Sequence, residues 1–449
     1  MPGATASDRE FMADSKHVTP SELYEAWPTL SLEERVEGFE YLKRHDADDF
    51  FLQLSARDRA ELLLALPFGE RRLWMRLLAP DDAADVIQEA PLEERESLLS
   101  LLDDQTGREV KGLLDYAEDE AGGLMNTRYS RLRADMTVDE AISYLRKDAR
   151  TREKTVYYVF VVNGQEHLLG VVSFRDLLVS AGDRLVRDVM RTEVISAPED
   201  LDQEALSKLF MRHHLLMIPI VDGQGRIKGV VNVDDIVDVV QEEATEDIQK
   251  IGGVETLEGP YLQVPLLVMI RKRAGWLAAL FLGEMLTATA MGQFETEIAR
   301  AVVLALFVPL IISSGGNSGS QATTLVIRAM ALGEVRLRDW WRVIRREVVT
   351  GLGLGTILAS IGLVRILLWQ FLFSAYGEHY FLVALTVAFS LVGVVLWGSL
   401  AGSILPFILR GLGFDPASAS APFVATLVDV TGLVIYFTIA AGVLNGTLL

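Results

Sequence analysis

The sequence predicts a multi-domain membrane protein: an all-α superhelical N-terminal domain, an α/β tandem module, a long connecting helix and an α-helical membrane domain of five spans. Three observations predict this. Residues 271–449 contain five apolar stretches, each longer than the ~20 residues that cross ~30 Å of hydrocarbon. Residues 128–246 contain an internal repeat with strand and helix patterning, and residues 21–115 repeat a short helix-opening phrase.

Charge divides the chain at the same place. The 449 residues carry a net charge of −20; from Arg271 onward 12 Lys/Arg face 9 Asp/Glu, and before it 30 face 53, a net of −23. Nucleic acid binds through basic surface that releases counterions, so this balance argues against a nucleic-acid partner and for cations. An acidic surface also serves solubility alone, and total charge does not separate the two. The sequence has no cysteine, which rules out disulfides and thiolate metal sites.

Residues 1–20 are small and polar, lack the basic and then apolar regions of a signal peptide, and are expected to form a disordered tail. The N-terminal domain, 21–127, opens leucine-rich helices at Ser31-Leu-Glu-Glu34, Ser55-Ala-Arg-Asp58, Pro80-Asp-Asp82 and Pro91-Leu-Glu-Glu94. Ser followed three residues later by an acid is the capping-box pattern, and Pro suits a first helical position. Recurrence at roughly 11–25 residues predicts stacked helical units.

Within 128–240 the two halves, about 128–186 and 187–240, align. Residues 156–178 and 217–237 each read as an apolar strand, a turn, a second strand beginning at Gly and a helix led by an acid. Helices at 138–146 and 203–212 precede them, each after an extended segment. Residues 241–265 connect to the membrane domain, 266–449, with a helix expected over about 241–262.

Hydropathy places the spans at about 274–293, 298–330, 343–373, 380–409 and 419–448. Arg271, Lys272 and Arg273 precede the first, and Arg336, Arg338, Arg342, Arg345 and Arg346 fill the loop between the second and third. The acidic half is therefore expected in the cytoplasm. Pro309 and the run Ser313-Ser-Gly-Gly-Asn-Ser-Gly-Ser-Gln321 interrupt the second span. Irregular backbone at membrane depth is tolerated only against protein or a water-lined cavity. The run reads as a pore lining whose carbonyls and amides face hydrated ions, or as close helix packing through small residues. Gly351, Gly353 and Gly355 have no polar neighbours and read as packing.

Asp429 is a lone carboxylate in the fifth span. An acid near the middle of a membrane helix costs roughly 2.5–3.5 kcal/mol on insertion scales, so it is expected to face a water-filled path or a partner. A protonated Asp bonded to a neighbouring helix is the other reading. Glu284, in the first span, is the weaker candidate.

The internal repeat resembles a tandem CBS (Bateman) module. Many such modules bind adenine nucleotides through a Ser/Thr and an Asp at the start of the last helix; Ser173 and Asp176 match in the first repeat, where ATP or another adenine nucleotide is implied. The second repeat has Asn232 and Asp235 there. Four further motifs widen the likeness: Tyr116–Met125 (YAEDEAGGLM), Ala244–Gly253 (ATEDIQKIGG), Gly315–Gln321 (GGNSGSQ) and Leu427–Phe437 (LVDVTGLVIYF). In this order they resemble the MgtE family of magnesium channels along nearly the whole chain.

The resemblance implies a homodimer embedded in lipid in the bacterial plasma (inner) membrane, conducting Mg²⁺ passively and closed by cytoplasmic Mg²⁺. Its pore site maps onto Asp429, the Ala425 carbonyl one turn earlier, Asn317 and Ser320; Ser320 and Ala421 stand where many relatives carry Asn. Regulatory Mg²⁺ positions map onto Asp49, Asp81 and Asp85, onto Asp202, Glu204, Asp235 and Asp238, and onto Glu243, Glu246 and Asp247. His214 replaces an acid often found in that set. Mg²⁺ is usually held by one or two carboxylates with several waters retained, and a twofold axis between fifth helices would pair two Asp429 side chains. Carboxylates gathered across domain boundaries repel unless a divalent ion lies between them. The same acids also suit helix caps and solvent-facing charge.

Other classes fare worse. His17, His45, His167, His213, His214 and His379 form no His-Glu-x-x-His pattern, and no Walker phosphate loop occurs, which argues against a zinc protease, an ATP-driven pump and an enzyme generally. A CBS-controlled anion channel would call for a basic selectivity site. A divalent-cation carrier coupled to Na⁺ or H⁺ stays open, since a membrane carboxylate can relay a proton.

Overall fold

Side-chain caps open the N-terminal helices. A computed structural model describes residues 19–148, 157–257, 259, 261–262 and 264–447; nearly all of the expected tail lies outside them. The helices are α1 (Pro20–Ala26), α2 (Leu32–Glu40), α3 (Arg44–Gln53), α4 (Ala56–Ala65), α5 (Phe68–Met75), α6 (Pro80–Glu89), α7 (Leu92–Leu99) and α8 (Asp104–Leu113). Thr19 with Glu22 and Ser31 with Glu34 form reciprocal capping boxes, and Ser55 Oγ accepts the Asp58 N–H. Pro80 is the first residue of α6, whereas Pro91 stands one place earlier than expected, as the N-cap of α7.

A second repeat signal runs through these helices. Arg35 pairs with Asp58 at 3.0 Å, Arg59 with Asp82 at 3.0 Å and Arg71 with Glu94 at 3.8 Å, each acid 23 residues beyond its arginine. Arg35 Nε also donates to the Trp27 carbonyl, Arg59 Nε to Phe51 and Arg71 Nε to Leu66. Each guanidinium thus joins one helix pair to the next while also donating to a carbonyl near a helix end.

The tandem module is two copies of one small sheet. In the first, β1 (Arg131–Arg133) runs parallel to β2 (Tyr158–Val162), which is antiparallel to β3 (Leu168–Ser173); helices α9 (Val138–Asp148) and α10 (Phe174–Val179) complete it. In the second, β4 (Ala197–Pro198), β5 (Met217–Val221) and β6 (Ile227–Asn232) repeat the pattern around α11 (Gln203–His213). Tyr158 pairs with Ser173 and Met217 with Asn232, so the repeats share one register. The second strands start two residues before their glycines. Gly170 and Gly229 lie inside the strands, where a Cβ would stand 2.7 Å from the Arg191 carbonyl and 2.9 Å from the Asn126 carbonyl. The missing side chains let neighbouring backbone bridge at Val171 and Val230.

Helix α12 (Val233–Ile251) is the last helix of the second repeat and the connecting helix in one piece. It ends at Ile251 rather than near 262, because Gly252 and Gly253 follow and Gly253 takes φ of +69°. Two compact units divide between Glu242 and Glu243.

The membrane unit contains α13 (Leu266–Gln293), two short helices α14 (Glu295–Arg300) and α15 (Val302–Ala305), then α16 (Val308–Ala331), α17 (Trp340–Phe373), α18 (Tyr380–Gly411) and α19 (Ala421–Leu444). Five segments are long and apolar enough to cross a membrane. The second span breaks only at Leu306-Phe307, between α15 and α16 and just before Pro309; the interruption expected at 313–321 is not there. Pro309 sits in the first turn of α16, where no intrahelical donor is needed, and residues 313–321 are continuous α-helix. Their backbone carbonyls are therefore engaged along the helix rather than lining a pore. The helix is possible because small residues let neighbours approach: a Cβ on Gly398 would lie 2.3 Å from the Gly315 carbonyl, and one on Gly402 would lie 2.1 Å from the Gly319 carbonyl. Gly351 and Gly355 pack likewise on α18, but Gly353 meets nothing, since a helical period turns it to the opposite face.

Candidate functional site

The helical form of residues 313–324 sorts their side chains onto two faces. Gly315, Ser318, Gly319 and Thr323 are buried; Ser318 Oγ lies 2.8 Å from Ser399 Oγ, and Thr323 Oγ1 donates to the Gly402 carbonyl at 2.8 Å. On the other side Ser313, Asn317, Gln321 and Thr324 are exposed, with half-buried Ser320 beside them. Positions i, i+4, i+7, i+8 and i+11 form one stripe. A polar stripe of this kind on an apolar span is stable only against water or another polar surface.

Asp429 lies beside this helix. It is half-buried on α19 one turn after Ala425, and the gap between the helices is set by Gly316: a Cβ there would stand 3.5 Å from Asp429 Oδ1 and 3.5 Å from Ala425 Cβ. Among the described residues no group of three or more Asp, Glu, His or Cys side chains converges as a metal site. On α13, Gly283 abuts Thr426, and the exposed Glu284 carboxylate is within electrostatic reach of Asp429. Asn317 Nδ2 faces Ser313 Oγ at 3.5 Å, and Ser320 Oγ donates to the Ala421 carbonyl at 3.1 Å. Gly316 was not singled out from the sequence; a helical reading of 313–321 is the signal that finds it, placing it one turn before Ser320.

Polar contacts also close the end of the unit below α19. Lys250 Nζ pairs with Asp415 at 2.7 Å and also with Glu246, one of the expected regulatory acids. Burial alone would lower the Lys250 pKa, but these two carboxylates outweigh it and hold the ammonium above its ordinary value. Trp276 Nε1 donates to Ser420 Oγ at 3.2 Å, beside Gly253, whose Cβ position the indole leaves no room for.

In the first unit the acids separate into groups. Asp81 is buried and accepts from Asn126 Nδ2 at 3.1 Å. Asp85, one turn on, has its pKa raised to about 8, chiefly by burial and then by Asp81, Asp82 and Asp235. The fold has therefore brought α6 and the start of α12 close enough for their carboxylates to repel. Asp238 is also raised, by burial first, with Arg59 opposing. Asp235 stays close to the helix start, 3.3 Å from the Asn232 N–H.

Other expected sites are engaged locally. Asp49 faces His45 at 3.5 Å, Asp202 caps α11 by accepting from Ala205 N–H, and Glu204 pairs with Lys208. Glu243 and Asp247 lie on α12, half-buried. His214 ends α11 in the left-handed region, with φ of 51°. Ser173 Oγ accepts the Asp176 N–H at 3.0 Å as the cap of α10. Half-buried Asp176 stands beside it, so a hydroxyl and a carboxylate are placed together at this helix start.

Five membrane-length helices, a polar stripe beside a carboxylate on one of them, a tandem α/β module and a helical domain define a multi-span membrane protein with a two-part N-terminal region. Comparison with known proteins narrows the class. Residues 308–439 match the family model MgtE, described as divalent cation transporter; 18–119 match the MgtE intracellular N domain; 121–182 and 186–242 match the CBS domain. The magnesium transporter MgtE of Thermus thermophilus is 38% identical over 98% of this chain and 95% of its own, and that of Bacillus subtilis 30% identical over 97% and 94%. A solved cytosolic domain of the Mg²⁺ channel MgtE in complex with ATP is 36% identical, with a TM-score of 0.46, covering 53% of this chain and 95% of that one. The chain belongs to the MgtE family.

Proposed function

We propose that this protein mediates passive uptake of Mg²⁺ across the bacterial plasma membrane, as a homodimer whose two Asp429 carboxylates hold a hydrated ion on the shared axis. The observation that carries the reading is the meeting of Asp429 and Ala425 with Gly316 beside the exposed polar stripe of α16. One carboxylate per chain suits an ion that keeps most of its water and takes one or two protein oxygens. Family membership supports the substrate, because the curated relatives are named magnesium transporters.

Cytoplasmic Mg²⁺ would close the pore by relieving repulsion among acids such as Asp81, Asp85 and Asp235 and by holding the connecting helix through Glu243, Glu246 and Asp247, a shift of population driven by differential binding. Adenine nucleotide at Ser173 and Asp176 would act on the same module.

Mg²⁺ flux into liposomes containing the full chain tests the pore site. Asp429→Ala is expected to abolish uptake while the protein still elutes as a folded dimer, and undiminished uptake would sink the proposal. Saturable flux that moves Na⁺ or H⁺ with Mg²⁺ would favour the coupled carrier instead.

A further inference from the structure

We propose that the loop between α16 and α17 is a binding site for the phosphate headgroup of an anionic phospholipid. A cavity of 460 Å³ there is lined by Arg336, Arg338, Arg342 and Arg346, with Glu334 and Asp339 as its acids. All four arginines are exposed. Among the described residues Arg342 pairs with Asp339 at 3.2 Å, while Arg336, Arg338 and Arg346 have no carboxylate within ion-pair distance. Asp339 also accepts the Arg336 backbone N–H at 3.2 Å, which closes the turn that leads into α17. The lining thus keeps an excess of two positive charges in a concave site, where planar guanidinium groups can clamp phosphate oxygens in pairs.

Position selects lipid over a soluble anion. The cavity sits where two membrane-length helices end, and Trp340 and Trp341 are 50% and 56% exposed at the first turn of α17. Exposed Trp at a span end occupies headgroup depth, and basic pockets between spans on the cytoplasmic side hold anionic headgroups. The site is separate from Asp429 and does not depend on the ion carried.

The test is native mass spectrometry of the full-length protein, delipidated in mild detergent and offered equal phosphatidylglycerol and phosphatidylcholine. Wild type is expected to retain phosphatidylglycerol in preference by about fivefold or more. Equal retention of the two lipids by wild type overturns the proposal without recourse to any variant. R338Q/R342Q/R346Q is expected to lose the preference, whereas R271Q/K272Q/R273Q, which removes as many cytoplasmic charges without touching the cavity, keeps it. Equal loss in both variants would mean diffuse attraction to basic surface and would refute a built site. Binding of inorganic phosphate to the delipidated protein in preference to phosphatidylglycerol at equal concentration would overturn the assignment to a lipid.

Discussion

Ser320 Oγ donates to the backbone carbonyl of Ala421 at 3.1 Å, joining α16 to the first residue of α19. These are the two positions where the family resemblance expects Asn, and they touch. The shorter pair closes on itself, so the helix carrying Asp429 is held against the polar helix by a bond that needs no ion. Ser320→Ala is expected to remove about 0.5–1.5 kcal/mol of stability and leave Mg²⁺ flux within about threefold. Thermal unfolding in detergent and liposome flux measure the two, and complete loss of flux would instead make Ser320 an ion contact.

Gly316 tests the approach to Asp429. A methyl group there meets its neighbours at ordinary contact distance, 3.5 Å, so Gly316→Ala is expected to conduct nearly normally. Gly316→Leu places further carbons against Asp429 and Ala425 and is expected to cut flux by about tenfold or more, a difference of about 1.4 kcal/mol in effective barrier. Equal flux in both variants would remove Gly316 from the pathway.

The seam between α16 and α18 has no such tolerance. Gly402→Ala puts a carbon 2.1 Å from the Gly319 carbonyl, which belongs to backbone and cannot rotate away. Overpacking of this kind costs about 1–3 kcal/mol or more, seen as a lower unfolding midpoint. Gly353→Ala, facing open space, is expected to leave the midpoint unchanged or raise it.

Asp85 makes the metal-free stability of the N-terminal unit depend on pH. Its carboxyl titrates at about 8 in the folded chain against an ordinary 3.8, so between these values the folded state holds a proton that the unfolded state has released. Stability in chelator should therefore fall as pH rises from about 4 through about 8 and level off above. Protease resistance at pH 6 and 9 measures it. Asp85→Asn should flatten the profile, and an unchanged slope in that variant would assign the effect elsewhere.

Much of this was legible in the chain. Ser31 and Ser55 marked real helix starts because capping is local chemistry, and the strand repeat survived because alternation has the same period in both copies. The polar run at 313–321 misled because helix propensity is a weak preference: no water competes for backbone hydrogen bonds in lipid, and facing glycines on α18 reward a close helix. The connecting helix stopped early at Gly252-Gly253, a C-terminal signal present in the sequence but outweighed by the expected length.

Sequence alone determined the five apolar spans, the acidic N-terminal half, the tandem repeat and the isolation of Asp429, since each is a property of composition or period along one chain. Only the tertiary structure decided that Gly316 rather than an irregular loop borders Asp429, that Asp85 and Asp235 repel across two elements, and that Gly353 packs against nothing. Those are contacts between residues far apart in the chain, and no local pattern encodes which face of one helix meets which face of another.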